Sequence, residues 1–314
     1  MEKKYRAGLI GVGSIAHIAH LPILAARNDV EMAGAFAEHI GSVQLTQKSY
    51  AIQHAVHNMD ELLSLGLDCA FVLSPKTVHA EQVIRLLEAG VDVFCEKPMG
   101  MTLKEAYDMA DASARTSRKL MIAFNRRYAP VYRKAKEIYG QISPDVLIAQ
   151  KNRPASEYRA TLENAIHMVD ILRYFCGECI KVGACSKFTD PLYETLTTAQ
   201  LQFENGSVAM LVANRASGQW VETLEMHGHN KSVLVNCPDS ITMTDAEQSH
   251  TTSMTPLAYG WAKVIDKMGF TQEVDHFFDC LAHDKEPLTN GADAYKTQEL
   301  MHRILTAAGL PGLG

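Results

Sequence analysis

Three groups of residues in this chain have the types and spacing to do chemistry. Gly11, Gly13 and Ala16 form a GxGxxA turn directly after the apolar run RAGLI, with Ser14 and Ile15 inside it. Gly11 permits a tight turn, Gly13 lets backbone approach a pyrophosphate, and Ala16 keeps the following helix close to the strand. The amides opening that helix, with its partial positive charge, favour phosphate. The bland alternative is an ordinary glycine turn. Glu96-Lys97-Pro98 follows the buried-looking run VDVFC, which leaves Lys97 at a strand end and partly desolvated. Those conditions lower a lysine pKa and suit proton transfer or oxyanion stabilisation; an ion pair capping the strand is the structural alternative. Glu163 and His167 are i and i+4, with Asp170 and Tyr174 continuing the same face and Leu162, Ile166, Val169 and Leu172 striping another. His167 titrates near neutrality and could exchange a proton with a substrate hydroxyl while Glu163 orients it. The competing reading is an interior histidine beside a helix-surface pair, Glu163 and Asp170.

The elements that must position these groups follow from periodicity. Apolar runs Tyr5–Ile10, Val30–Phe36, Cys69–Leu73, Val91–Cys95 and Leu120–Phe124 read as strands. Helical patterns separate them at Ile15–Ala26, Ile40–Ser49, Met59–Leu65, Val78–Ala89 and Thr102–Ser117, with Thr77 and Thr102 as N-caps and Gly90 as a C-cap. Strand and helix alternating in this way predict right-handed crossovers and a doubly wound parallel sheet. The pattern then changes. After helices at Val131–Tyr139 and Leu162–Phe175, long alternating strands dominate: Asp145–Asn152, Ile180–Phe188, Thr195–Phe203, Ser207–Arg215, Val221–Gly228 and Ser232–Cys237. Glu204-Asn205-Gly206 predicts a hairpin whose Asn-Gly pair takes positive φ. Helices at Thr271–His283 and Ala292–Ala308 end the chain. The fold class expected is therefore α/β: a Rossmann domain over 1–125, then an α+β domain over 126–314 with an open-faced, mostly antiparallel sheet.

Composition narrows the function classes. At 314 residues, 47% hydrophobic and 21% charged, the chain is neither disordered nor a disulfide scaffold, and it is long enough for two domains. A formal charge of −6 without a basic block argues against nucleic acid and anionic membranes as partners. Seven scattered cysteines, most in apolar runs, suit a reducing cytoplasm, and the lone Cys176-Gly-Glu-Cys179 lacks a second pair to complete a metal or redox centre. The stretch Ala7–Ala26 imitates a signal peptide only superficially, because His17, His20 and Pro22 interrupt it. A soluble, cytoplasmic protein is expected. No metal is expected either: the pairs His17/His20, His54/His57 and His227/His229 lack a third ligand at fixed spacing.

In a doubly wound sheet, ligands bind beyond the carboxyl ends of the strands. The residues predicted there to hold a dinucleotide are Gly11, Gly13, Ser14, Ile15, Ala37, Glu38, Ser74, Pro75, His79, Glu96, Lys97 and Asn125. The likeliest acidic ribose position holds Ala37, with Glu38 one residue later and no arginine to meet a 2′-phosphate, so NAD is favoured slightly over NADP. Arg126, Arg127 and Arg153 could clamp an acidic or phosphorylated substrate, or pair with carboxylates.

The order and spacing of Gly11-x-Gly13-x-x-Ala16, Ser74-Pro-Lys-Thr-Val-His79, Cys95-Glu-Lys97-Pro98 and Asn125-Arg-Arg-Tyr resemble the GFO/IDH/MOCA oxidoreductases. These are glucose–fructose oxidoreductase, inositol dehydrogenase and their relatives. The similarity continues through Glu163–Cys176 to the final helices. Phe124–Tyr132, Asn214–Gln219 and Gly260-Trp261 look most like the branch called MviM. The resemblance implies a Rossmann domain followed by an open-faced mixed sheet that carries substrate on one face and often an oligomer interface, dimeric or tetrameric, on the other. It implies NAD(P)-dependent oxidation or reduction of a sugar, cyclitol or related polyol, with Lys97, His167 and Glu163 catalytic and Lys97, Arg126, Arg153, Glu163 and His167 lining the substrate. It also implies that the last helix, about 292–308, returns to the first domain. Glu163 departs from the family, since inositol dehydrogenases hold aspartate at the matching position. A cofactor-sensing binding protein of the same fold is the alternative function.

Overall fold

The computed structural model describes residues 4–154, 159–190, 193–254 and 263–314. Gly260 and Trp261, part of the branch resemblance, lie outside the described residues. The chain divides into two compact units. The first takes Met1–Ala123 with Phe270–Lys296; the second takes Phe124–Gly269 with Thr297–Gly314.

The first unit is a six-stranded parallel sheet. Its strands are β1 (Tyr5–Ile10), β2 (Val30–Phe36), β3 (His54–Val56), β4 (Cys69–Val72), β5 (Asp92–Cys95) and β6 (Leu120–Ile122), in the spatial order β3-β2-β1-β4-β5-β6. The order reverses between β1 and β4, so the crevice beyond their carboxyl ends is the binding position of such a sheet. β4 and the later residues of β1 and β5 form buried apolar runs, as in a parallel sheet covered on both faces. β3 was not expected: three residues, HAV, are too few to show a period. Thr102 caps its helix as anticipated, in a capping box with Glu105, and Gly90 takes φ +82° behind the preceding helix. Thr77 does not cap; a 3₁₀ turn, Lys76–Val78, leads into the helix His79–Glu88 instead. The edge strand β6 is closed by Thr289, whose carbonyl accepts from the Ile122 N–H at 2.9 Å and whose hydroxyl donates back to Ile122 at 2.7 Å.

The second unit is built on an eight-stranded mixed sheet. Its strands are β7 (Val146–Asn152), β8 (Cys179–Asp190), β9 (Tyr193–Phe203), β10 (Val208–Asn214), β11 (Val221–Gly228), β12 (Lys231–Asn236), β13 (Ser240–Asp245) and β14 (Gln248–Ser253), ordered β14-β13-β12-β11-β7-β10-β9-β8. Among the described strands of this sheet, only β7 and β10 pair in parallel. β13 and β14 escaped the sequence reading because their serines and threonines carry little apolar alternation, and their turn, Ala246-Glu247, takes positive φ without glycine or asparagine. The hairpin after β9 is present, but only Gly206 has positive φ there; Asn205 instead accepts from the Ser207 N–H at 3.0 Å. One sheet face is covered, with Leu147, Ala149, Leu201, Leu211, Leu224, Val233 and Val235 buried; the other carries Val146, Met210 and Leu234, each more than 40% exposed.

Candidate active site

The GxGxxA turn is shaped by two glycines with different jobs. Gly11 follows β1 at φ +90°, and a Cβ there would stand 2.6 Å from the Ser74 backbone nitrogen and 2.7 Å from the Leu73 carbonyl. Its N–H donates to the Phe36 carbonyl at 2.8 Å, which ties the turn to the end of β2. Gly13 meets nothing within 4 Å of such a Cβ, so the backbone at this point faces open space. Those are the conditions a pyrophosphate requires: one glycine for the turn and one for approach. Ser14 is exposed and Ile15 half-buried beside it. The helix that follows is not one piece. A wider, π-type turn spans Ala16–His20 and an α-helix Leu21–Ala25 follows; Pro22 lacks the N–H that would close the ordinary spacing.

Around this turn, the other predicted cofactor residues fall into exposed and buried sets. Glu38 and Pro75 are exposed, and Ala37, Ser74 and Lys97 are half-buried. Ser74 Oγ donates to Gln82 Oε1 at 2.5 Å. His79 is buried, with Nδ1 2.9 Å from the Pro98 carbonyl and Nε2 3.0 Å from the Ser74 carbonyl. It therefore staples the loop after β4 to the loop after β5, and burial lowers its pKa. The side chain of Glu96 is likewise turned inward, accepting from the His20 ring at 2.8 Å and from the Lys97 N–H at 3.2 Å. Burial, the largest influence on Glu96, would raise its pKa, but the His20 contact and the charge of Lys97 leave it lowered. His20 has no exposure and packs edge-on against Phe94 and Phe270. Sequence reading missed it as a partner of Glu96, and no pattern in the chain pairs residues 76 apart. These two buried groups hold the shape of the loops that bear Ser74 and Lys97.

In the second unit, the turn Asn125–Tyr128 is wholly buried. Asn125 donates to the Met268 carbonyl at 3.0 Å. Arg126 forks onto Glu222 (Nε to Oε1 2.6 Å, Nη2 to Oε2 2.9 Å), and Arg127 forks onto Asp170 at 2.8 and 2.6 Å. Of the two roles open to these arginines, pairing with carboxylates is the one the geometry displays. Glu222 also binds Lys151 on the neighbouring strand. Burial would lower the pKa of Arg126, but Glu222 raises it; burial and the charge of Arg126 bring Lys151 down to about 7. A signal for Glu222 and Lys151 was present. Each occupies the inward phase of its strand, with Leu224 and Met226 or with Leu147 and Ala149. Arg153 is half-buried and lies over Trp220, its guanidinium carbon 4.1 Å from the ring centre.

The helix expected as one run over Leu162–Phe175 is again in two parts, a π-type turn at Ala160–Ala165 and an α-helix at Ile166–Cys176. The junction falls between Glu163 and His167, so their spacing is not that of a regular α-helix. Glu163 Oε2 accepts from the Arg159 N–H at 3.0 Å, which caps the start of the segment. His167 is 6% exposed, in the first turn of the α-helix. Asp170 is not on the helix surface with Glu163; it has no exposure and accepts from Arg127 and from Thr297 Oγ1, the latter at 3.1 Å. Its place inside follows from a partner 43 residues away, which helical periodicity does not reveal.

A doubly wound sheet with this glycine turn at its switch point, joined to a unit built on an open-faced mixed sheet, is the architecture of a dinucleotide-binding protein. Residues 5–124 match the NAD-binding Rossmann fold of the GFO/IDH/MocA oxidoreductase family, and residues 154–309 match its C-terminal alpha/beta domain. The chain belongs to that family and is an NAD(P)-dependent oxidoreductase. It is similar to YceM of Salmonella typhimurium, named as an oxidoreductase, at 26% identity over 307 residues, covering 95% of this chain and 96% of that protein. It is similar also to scyllo-inositol 2-dehydrogenase (NAD(+)) of Bacillus subtilis, at 20% identity, covering 94% and 91%. In fold it matches a dehydrogenase (MviM) of Clostridium difficile with a TM-score of 0.88 at 24% identity, covering 97% and 100%. Among the described residues, no helix is long and apolar enough to cross a membrane.

Proposed function

We propose that this protein transfers a hydride between a nicotinamide and a secondary alcohol of a sugar, cyclitol or related polyol. The observation that carries the reading is the Gly11–Gly13 turn, with its open approach at Gly13, at the switch point of a sheet that belongs to this family. Support for the substrate class comes from relatives named as scyllo-inositol and D-apiose dehydrogenases. The bound dinucleotide supplies or accepts the hydride. Gly11, Gly13, Ser14 and Ile15 would hold its pyrophosphate, and Ala37 and Glu38 would meet its adenosine ribose, favouring NAD. His167 takes the hydroxyl proton as an alcohol is oxidised and returns it in the reverse direction. Lys97 stabilises the negative charge on the reacting oxygen. Glu163 keeps the segment before His167 in place by capping it.

The open sheet face is the proposed interface of a homodimer or tetramer. On it, register aligns Gln200, Met210, Ile148, Glu225, Leu234 and Thr242 in one row. A reducing, cytoplasmic setting fits the seven cysteine thiols, six of them buried.

Fluorescence titration with NADH and NADPH, followed by turnover of NAD⁺ with scyllo-inositol and D-apiose, tests the reading. Binding of either dinucleotide with micromolar affinity is expected; no binding of either at millimolar concentration overturns it. In Lys97→Met, turnover should fall by about three orders of magnitude with dinucleotide affinity within threefold. Unchanged turnover removes Lys97 from the chemistry.

A further inference from the structure

The helix that carries His167 is packed mainly by apolar contacts: Met168, Val169, Ile171 and Leu172 have no exposure. Such contacts are non-directional, so they hold a helix in place without choosing one rotation or one axial setting. A side-chain tip lies about 6 Å from its helix axis, so a turn of about 10° moves it by about 1 Å. For a proton-transfer group, an error of that size costs about a hundredfold in rate. Something directional must therefore fix this helix if His167 is to work.

We propose that Arg127 is a positioning residue for His167, acting through Asp170. Asp170 lies three residues beyond His167, so the two share a helix face with Cβ atoms about 5–6 Å apart. Arg127 grips Asp170 in a two-point fork at 2.6 and 2.8 Å, in which both side chains are no more than 3% exposed. Thr297 donates to the same carboxylate and in turn accepts from Arg173, a second residue of the helix, at 2.8 Å. The Arg127 guanidinium also covers Tyr174, 5.3 Å from the ring centre, so it touches the helix one turn further on. A fork of this kind defines both distance and plane, which an apolar contact does not.

What gives the grip a fixed reference is the preceding residue. In the 3₁₀ turn Asn125–Tyr128, successive side chains diverge by about a third of a turn. Arg126 is thus sent the other way, onto Glu222 of β11. Two adjacent arginines brace the helix against the sheet. Buried ion pairs of this kind add little net stability compared with apolar residues of the same volume, which makes placement the better account of them.

This inference rests on His167 being the proton carrier, and the experiment separates the two. Ring signals of ¹⁵N-labelled histidine are recorded on the full chain with NADH, the His167 signal being identified by its loss in His167→Gln. In Arg127→Lys, which keeps the charge but loses the fork, the His167 signal should move or broaden, whereas those of His227 and His302 in the same unit should not. An unmoved His167 signal overturns the proposal, whatever happens to the melting temperature. Turnover is then read with NAD⁺ and scyllo-inositol. Arg127→Lys should lower kcat about 30-fold with KM for NAD⁺ within twofold, and should cost nothing further in the His167→Gln background. An equal loss in both backgrounds denotes structural damage and overturns the proposal. Full activity of His167→Gln overturns the catalytic reading instead, while the NMR result still decides whether Arg127 sets the ring.

Discussion

Glu222 and Lys151 face each other directly across antiparallel strands β11 and β7, both without exposure, and Arg126 forks onto the same carboxylate from the turn that begins the second unit. Two basic groups thus share one buried anion, and the Glu222 carboxyl is held well below the usual carboxylate range by Arg126 and Lys151, against the upward pull of burial. The pieces are not equivalent. Glu222→Gln leaves Arg126 and Lys151 facing each other without an anion and should cost about 3–5 kcal/mol of unfolding free energy. Lys151→Met leaves the Arg126–Glu222 fork intact and should cost less than about 1 kcal/mol or stabilise the protein. Chemical denaturation of both variants and of the double variant checks this. Equal losses in the two single variants would refute the hierarchy.

The same cluster makes a pH prediction. Burial and the charge of Arg126 lower Lys151 from its ordinary 10.5 to about 7. Between those values the unfolded chain keeps the proton and the folded chain releases it, so raising the pH favours folding. The Lys151 contribution should be at its least favourable below pH about 7 and rise by about 1.4 kcal/mol per pH unit toward the ordinary lysine range. The unfolding free energy of wild type relative to Lys151→Met, measured from pH 6.5 to 9.5, should rise steadily with pH. Parallel curves would show that Lys151 keeps its charge throughout.

Gly11 and Gly13 separate folding from binding. At Gly11, a Cβ would run into the backbone at Leu73 and Ser74 and would require positive φ. Gly11→Ala should therefore destabilise the protein by about 2–4 kcal/mol. Gly13→Ala adds a methyl to open space, so stability should stay within about 0.5 kcal/mol. On the proposed placement of the pyrophosphate against Gly13, NADH affinity should fall at least tenfold. Thermal melts and NADH titration of the two variants supply the comparison, and normal affinity in Gly13→Ala would place the pyrophosphate elsewhere.

Met210 is 52% exposed near the middle of the open sheet face, beside Gln200 on one side and Ile148 on the other. If that face joins copies of the chain, Met210→Lys buries an unpaired charge at the interface and should shift light-scattering mass toward the monomer at micromolar concentration. Its melting temperature at high dilution should match that of wild type. An unchanged mass with Met210→Lys would exclude this face as the interface.

Much of the architecture was legible because local rules act at short range. β1, β2, β4 and β5 are apolar runs bounded by turns, and the GxGxxA motif announces itself through the absence of side chains, so both appear in linear order. Thr102 and Glu105 cap a helix through contacts three residues apart, which any reader of the chain can see. β13 and β14 were invisible for the opposite reason: their pairing rests on backbone hydrogen bonds and a neighbour's edge rather than on an apolar period.

The sequence by itself pointed to the family, to the strand–helix alternation through β1, β2, β4 and β5, and to Lys97, Glu163 and His167 as candidates, since each stands in a local motif. Only the tertiary structure decided the partners of the charged groups. Arg126 meets Glu222 across 96 residues, Arg127 meets Asp170 across 43, and Glu96 meets His20 across 76. A buried charge is tolerated only where a counter-charge has been folded beside it, and which carboxylate arrives there is a property of the packed elements, not of spacing along the chain.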